Sequence, residues 1–145
     1  MSSAAEQLER FLQRVPYIRF LGMQAELAGD EMTAILPPSE HLIGNTYIPA
    51  LHGGVIGAFL EMTALAQLSV AEPARRLPKT IDVTIEYLRP GRGGLTSYAR
   101  ADLRKVGRRI ANVHVEAWQD DRDKPFAALR GHFLLSREGE PPLPS

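Results

Sequence analysis

Residues 52–71 read HGGVIGAFLEMTALAQLSVA, and this stretch decides the fold. Almost every position is apolar or small, no proline interrupts it, and it is long enough for roughly five helical turns. It predicts one helix from His52 to about Val70, stopped by Glu72-Pro73. A helix that is apolar nearly all round must be enclosed by protein or lipid. Glu61, Thr63, Gln67 and Ser69 break the run from Val55 to Val70, which argues against a membrane span.

The flanking residues say what encloses it. Beyond the helix the period changes to two. Ile81, Val83, Ile85 and Tyr87 alternate with Thr80, Asp82, Thr84 and Glu86, predicting a half-buried strand that ends at Pro90-Gly91. Leu95, Ala99, Ala101 and Leu103 mark a second strand, with a turn at Gly107-Arg108-Arg109. Ala111, Val113, Val115 and Ala117 line one face of a third. Asp120 to Pro125 is a polar turn, and Phe126 to Leu135 is the last strand. On the other side, Leu8, Phe11, Leu12 and Val15 form a helical stripe over residues 4–15, ended by Pro16. Tyr17 to Leu36 favours two strands about a turn at Ala28-Gly29-Asp30, and residues 39–51 predict a loop. The order is helix, two strands, one long apolar helix, four strands. That order predicts an α+β domain whose antiparallel sheet wraps the central helix. One domain over residues 1–145 accounts for the length, with a frayed tail at 137–145 rich in proline.

Composition removes several classes of function. Lys plus Arg equals Asp plus Glu at 17 each, so no net field draws the chain to nucleic acid or an anionic membrane. The chain has no cysteine, which excludes disulfides, thiolate catalysis and Cys-ligated zinc. His41, His114 and His132 are scattered, with no pair at metal-ligand spacing, so neither metal nor other cofactor is expected. The N-terminus shows no signal-peptide pattern, and the cytoplasm is the expected compartment.

Glu61 is the one charged residue between Gly53 and Ala71. On a helical wheel its neighbours are Gly54, Gly57, Ala58, Leu65 and Leu68, while Thr63 and Gln67 fall on the far side. It therefore belongs to no polar stripe. A carboxylate on an apolar, small-residue face costs free energy unless it is paired or used. Gly53 and Gly54 sit where a helix leaves backbone N–H groups without partners, and such groups can hold a carbonyl oxygen gaining negative charge. Gly53 and Glu61 lie about 12 Å apart along the axis, so one chain cannot present both to one carbonyl. Two antiparallel copies about a two-fold can, provided the small-residue face lets them approach. A site shared between subunits, and an obligatory dimer, are the expectation.

With these residues in view the sequence resembles the hot-dog-fold thioesterases of the PaaI-like and 4-hydroxybenzoyl-CoA group. The resemblance rests on His52-Gly53-Gly54, on an acidic residue nine positions after the His, and on the strand Thr80 to Pro90, TIDVTIEYLRP. It covers roughly residues 17 to 135. It implies an acyl-CoA thioesterase in which the Gly53 amide binds the thioester carbonyl and Glu61 of the neighbouring subunit is nucleophile or general base. It implies a hydroxyl from Thr80 and either a dimer or a dimer of dimers, the homotetramer being the expectation taken from the family. His52 is a candidate site residue, read as packing or hydrogen-bonding at the helix start rather than as acid or base. The family's usual amide side chain stands six residues before the His. Here that position is Thr46 and Asn45 is one residue further away, so Asn45 serves only if the loop shifts. Leu65, one turn after the acid, supplies no hydroxyl. Gly54 and the local cations Arg89, Arg92 and Arg108 are the candidates for binding substrate and the CoA phosphates. Coenzyme A belongs to the substrate and is no resident cofactor. Two other readings remain: a hot-dog dehydratase or hydratase acting on acyl-CoA or acyl-carrier protein, and a non-catalytic acyl-CoA-binding protein.

Overall fold

The computed structural model describes residues 3–45, 47, 49–72 and 77–136. Helix α1 (Ala4–Arg14) begins at Ser3, whose side chain accepts from the Glu6 N–H, and it buries Leu8 and Phe11. The chain then departs from the expected strand at Tyr17. Residues Pro16–Leu21 form a second helix, α2, burying Ile18 and Leu21. Pro16 stops α1 and opens α2 at once, because proline at the first helical position has its φ already set and forfeits no needed N–H. Gly22, at φ 77°, closes α2 by donating to the Ile18 and Arg19 carbonyls.

Strands β1 (Gln24–Ala28) and β2 (Glu31–Leu36) form the expected hairpin. The next segment is more ordered than the loop expected there. It holds a 3-10 turn at Glu40–Leu42 and a small hairpin of β3 (Ile43–Asn45) and β4 (Ala50–Leu51). This hairpin is tied on both sides: the His52 N–H donates to the Leu42 carbonyl at 2.9 Å, and the Leu51 N–H to the Gly91 carbonyl at 2.8 Å. The position of the next helix start is thus fixed by two distant parts of the chain.

Helix α3 (Gly53–Ala71) is the central helix. Strands β5 (Lys79–Tyr87), β6 (Ser97–Val106), β7 (Ile110–Trp118) and β8 (Ala127–Leu134) follow. With β1 and β2 they make one antiparallel sheet in the order β1-β2-β6-β7-β8-β5. α3 packs against β2, β5, β6, β7 and β8, and α1 covers it from another side. The core is built from Phe59, Leu60 and Leu68 of the helix, from Ala111, Val113, Val115 and Ala117 of β7, and from Leu129 and Phe133 of β8. α3 is long and apolar enough to cross a membrane, yet here it is a core helix enclosed by its own sheet.

Two expectations about side chains need correction. The strand expected to be half buried is β5, but Ile81 and Tyr87 are 51% and 55% exposed. β5 is an edge strand, and its pairing with β8 shifts between Thr80 and Asp82. Ile81 is the extra residue of this bulge, so Thr80 and Val83 both face α3 although they are three apart. The small-residue face of α3 is also not left wholly open for another copy. A side chain at Gly57 would meet Ile85 Cδ1 at 2.9 Å, so the chain's own β5 covers that point. Gly54 stays exposed and Ala58 half-buried.

Candidate active site

Glu61 lies half-buried in the middle of α3. Its Oε2 accepts a hydrogen bond of 2.7 Å from Thr80 Oγ1. The β5 bulge makes this contact possible, because it turns Thr80 toward the helix while Asp82 turns outward to pair with His132 Nδ1 at 2.9 Å. A hydroxyl donating to a carboxylate is a charge-assisted bond, and it fixes one oxygen while leaving the other for chemistry.

The helix start is a second centre. His52 caps α3, its Nδ1 accepting from the Gly54 N–H at 2.9 Å. The carbonyl of His52 takes the Val55 and Ile56 N–H groups. The Gly53 N–H has no partner among the described residues and Gly53 is exposed, which leaves one backbone donor open at the positive end of the helix dipole. Tyr87 reaches across from β5, its hydroxyl donating to the Gly53 carbonyl at 2.9 Å. Tyr87 belongs to the strand motif TIDVTIEYLRP, but nothing in that motif marks it for this contact. Periodicity puts it on the helix-facing side of β5, but not above this turn of α3.

Other expected residues divide. Asn45 sits on β3, paired to Ala50 and so next to the helix start, but its Oδ1 accepts the Tyr47 N–H at 2.9 Å. That oxygen serves the chain's own turn. Thr46 lies outside the described residues, as does the tail at 137–145. Arg89 and Arg92 share a groove of about 450 Å³ with Lys124, Gln119, Asp120 and Asp121. Gln119 grips the backbone of Arg92 from both sides, and Ala50 bridges to Arg92, so this groove adjoins the strand that leads into α3. Arg108 is elsewhere. It stands in the β6–β7 turn, level with the Lys79 end of β5, and roughly 25–30 Å of strand separates it from the Arg89 turn. One chain does not bring Arg108 together with Arg89 and Arg92. A larger groove of about 570 Å³ lies on the sheet face turned away from α3, among Arg100, Asp102, His114, Glu116 and Arg130. It contains neither Glu61 nor the helix start and is not part of this site. Among the described residues no three His, Cys, Asp or Glu side chains are grouped to hold a metal.

These features coincide with a known pattern. The model of the thioesterase superfamily matches residues 49–126, which carry β4, all of α3, Glu61 and Thr80. The chain belongs to the thioesterase superfamily. As a member it is similar to the medium/long-chain acyl-CoA thioesterase YigI of Escherichia coli K12, with 30% identity over 128 residues. That similarity covers 79% of this chain and 82% of YigI. Among solved structures it is similar to a protein from Chromobacterium violaceum, at 36% identity and a TM-score of 0.71, covering 94% and 98% of the two chains. The PaaI protein of the phenylacetic acid degradation operon of Escherichia coli shares its fold, with a TM-score of 0.78 over 94% of each chain at 19% identity. The fold is the hot-dog fold expected from the sequence, and the chain is a thioester hydrolase by family.

Proposed function

We propose that the protein hydrolyses acyl-CoA thioesters at a site that two copies of the chain build together. The observation that carries this reading is the division of one helix into two half-sites. The open Gly53 amide stands at its start and the Thr80-held Glu61 in its middle, about 12 Å away. That spacing is too long for one carbonyl and suits two antiparallel helices. The edge strand supports a second copy. Among the described residues β5 has a strand partner on one side only; it carries the exposed apolar residues Ile81 and Tyr87, and exposed Leu88 follows it. Tyr47, 96% exposed on the loop before α3, is a further aromatic surface that a neighbour would cover.

In this reading the Gly53 N–H of one subunit polarises the thioester carbonyl, and Glu61 of the other takes a proton from water. The water oxygen bonds to the carbonyl carbon, and the carbonyl π electrons move onto an oxygen held by the amide. Collapse of the intermediate expels CoA thiolate, which needs no strong acid to leave and takes up the proton. Arg89, Arg92 and Lys124, in the groove beside the helix start, suit the CoA phosphates. The similarity to YigI favours a medium or long acyl chain. Hydration chemistry has less support: it needs a histidine base facing the carboxylate, and Nδ1 of His52 is engaged as a helix cap.

Complementation between two inactive variants tests the shared site. Gly53→Pro deletes the amide donor at a first helical position where proline is accepted, following His52 at φ −62° and ψ 136°. Glu61→Gln removes the base. Each variant alone is expected to be inactive, whereas refolding the two together gives heterodimers with one intact site and recovers activity. Failure to recover any activity in verified heterodimers would contradict the shared site.

A further inference from the structure

The first turn of α3 is held by a relay of hydrogen bonds that starts on β5. Tyr87 Oη donates to the Gly53 carbonyl at 2.9 Å. That carbonyl and the Gly54 N–H belong to one peptide unit, so accepting at the oxygen polarises the N–H. The same N–H donates to His52 Nδ1 at 2.9 Å. An imidazole nitrogen that accepts cannot also carry a proton, so the neutral ring of His52 is the Nε2–H tautomer.

The ring lies close to the backbone on both sides of it. A side chain at Gly44 would meet His52 Cδ2 at 3.2 Å, and one at Gly54 would meet His52 Nδ1 at 3.1 Å, so the imidazole occupies this place because both positions are glycine. Its Nε2 makes no hydrogen bond among the described residues, and neither does the adjacent Gly53 N–H. Two donors from consecutive residues at the helix start are thus without partners among the described residues. The Tyr87 hydroxyl secures both, because it pins the peptide between them and the rest of the turn. The Tyr87 ring itself lies 3.8–3.9 Å from where a Gly53 side chain would begin. The ring contact and the hydroxyl contact are therefore separable by substitution.

We propose that Tyr87 is a positioning residue for thioester hydrolysis. Through Gly53 and Gly54 it holds His52 in the Nε2–H tautomer at the helix start that carries the Gly53 amide. His52 then gives a hydrogen bond to the acyl-CoA and does not act as a general base. This inference rests on the proposed role of the Gly53 amide.

The test compares wild type with Tyr87→Phe, which keeps the ring and deletes the hydroxyl, and Tyr87→Leu, which removes the ring. Steady-state hydrolysis of a panel of acyl-CoAs, thermal melting and 15N NMR of the His52 ring at a pH where it is neutral are measured for each. Tyr87→Phe is expected to keep its melting temperature and KM while kcat falls about 10–100-fold, up to the loss that a misplacement of about 1 Å can cause. The wild-type spectrum is expected to show Nδ1 as acceptor and Nε2 protonated, and Tyr87→Phe a mixture of tautomers. Tyr87→Leu is expected to lose melting temperature as well as kcat. An active wild type with kcat unchanged in Tyr87→Phe would overturn the role of Tyr87 alone. A wild-type His52 protonated at Nδ1 would overturn the relay whatever the activity. A wild type inactive on every acyl-CoA would overturn the catalytic reading of the site, and with it the positioning role.

Discussion

Gln67→Leu should uncouple stability from activity. Gln67 sits on α3 at 6% exposure and ties the β1–β2 hairpin to the helix. Its Oε1 accepts from the Met32 N–H at 2.9 Å, and its Nε2 donates to the Asp30 carbonyl at 2.9 Å. Met32 lies one residue beyond the β2–β6 ladder, which pairs Thr33 to Leu36 with Arg100 to Ser97, so Gln67 stands in for a strand partner. Met32 is 0% exposed, and stranding its N–H costs about 1–3 kcal/mol. Asp30 is exposed, so its carbonyl can turn to water and the loss there is about 0.5–1.5 kcal/mol. Burying a leucine in place of an amide returns roughly 1 kcal/mol. The net is about 1–3 kcal/mol, a fall in melting temperature of roughly 3–10 °C for a chain of this size. Gln67→Glu should be worse, because it buries a charge and sets a carboxylate against the Asp30 carbonyl. Melts compared at one protomer concentration measure this, since assembly also shifts the midpoint. Gln67 stands about 120° around the helix from Glu61, so folded Gln67→Leu should keep its kcat. A melting temperature within about 1 °C of wild type would refute the argument.

Other substitutions test separate parts. Thr80→Val removes a charge-assisted bond worth about 1.5–3 kcal/mol, so kcat should fall roughly 10–100-fold, with Thr80→Ser restoring most of it. Full activity in Thr80→Val would show that Glu61 needs no hydroxyl partner. A side chain at Gly131 would meet Val83 Cγ1 at 2.8 Å and the Asp82 carbonyl at 2.9 Å. Gly131→Ala should therefore cost about 1–3 kcal/mol and speed hydrogen exchange along β5; unchanged exchange would contradict it. Arg89→Ala with Arg92→Ala should raise KM for acyl-CoA about 3–10-fold while leaving a short thioester without phosphates unaffected. Equal losses for both substrates would place the CoA phosphates elsewhere.

The sequence was most legible where one signal dominated. The long apolar stretch could only be a core helix, and a single carboxylate in it stood out. The strict alternation of β7 named its buried face correctly. Three things lay beyond that kind of reading. Tyr17, Ile18 and Phe20 favour strands by type, but Pro16 and the left-handed Gly22 bracket a helix that buries Ile18 and Leu21. Alternation in β5 shows period but not edge position, and the bulge at Ile81 puts Thr80 in its place on the face toward α3 while Val83 and Ile85 keep theirs. The contact of Tyr87 with Gly53 spans 34 residues, and no local pattern encodes it. Asn45 is the opposite case. Asparagine commonly bonds a nearby backbone N–H, and its contact with Tyr47 follows that local preference.

Release of free thiol from aromatic and aliphatic acyl-CoAs by wild type and Glu61→Gln measures whether Glu61 drives thioester hydrolysis. The wild type should turn over and kcat should collapse in the variant, with CoA binding and oligomeric state intact. Turnover unaffected by the substitution, or none by the wild type with any thioester, would contradict that role.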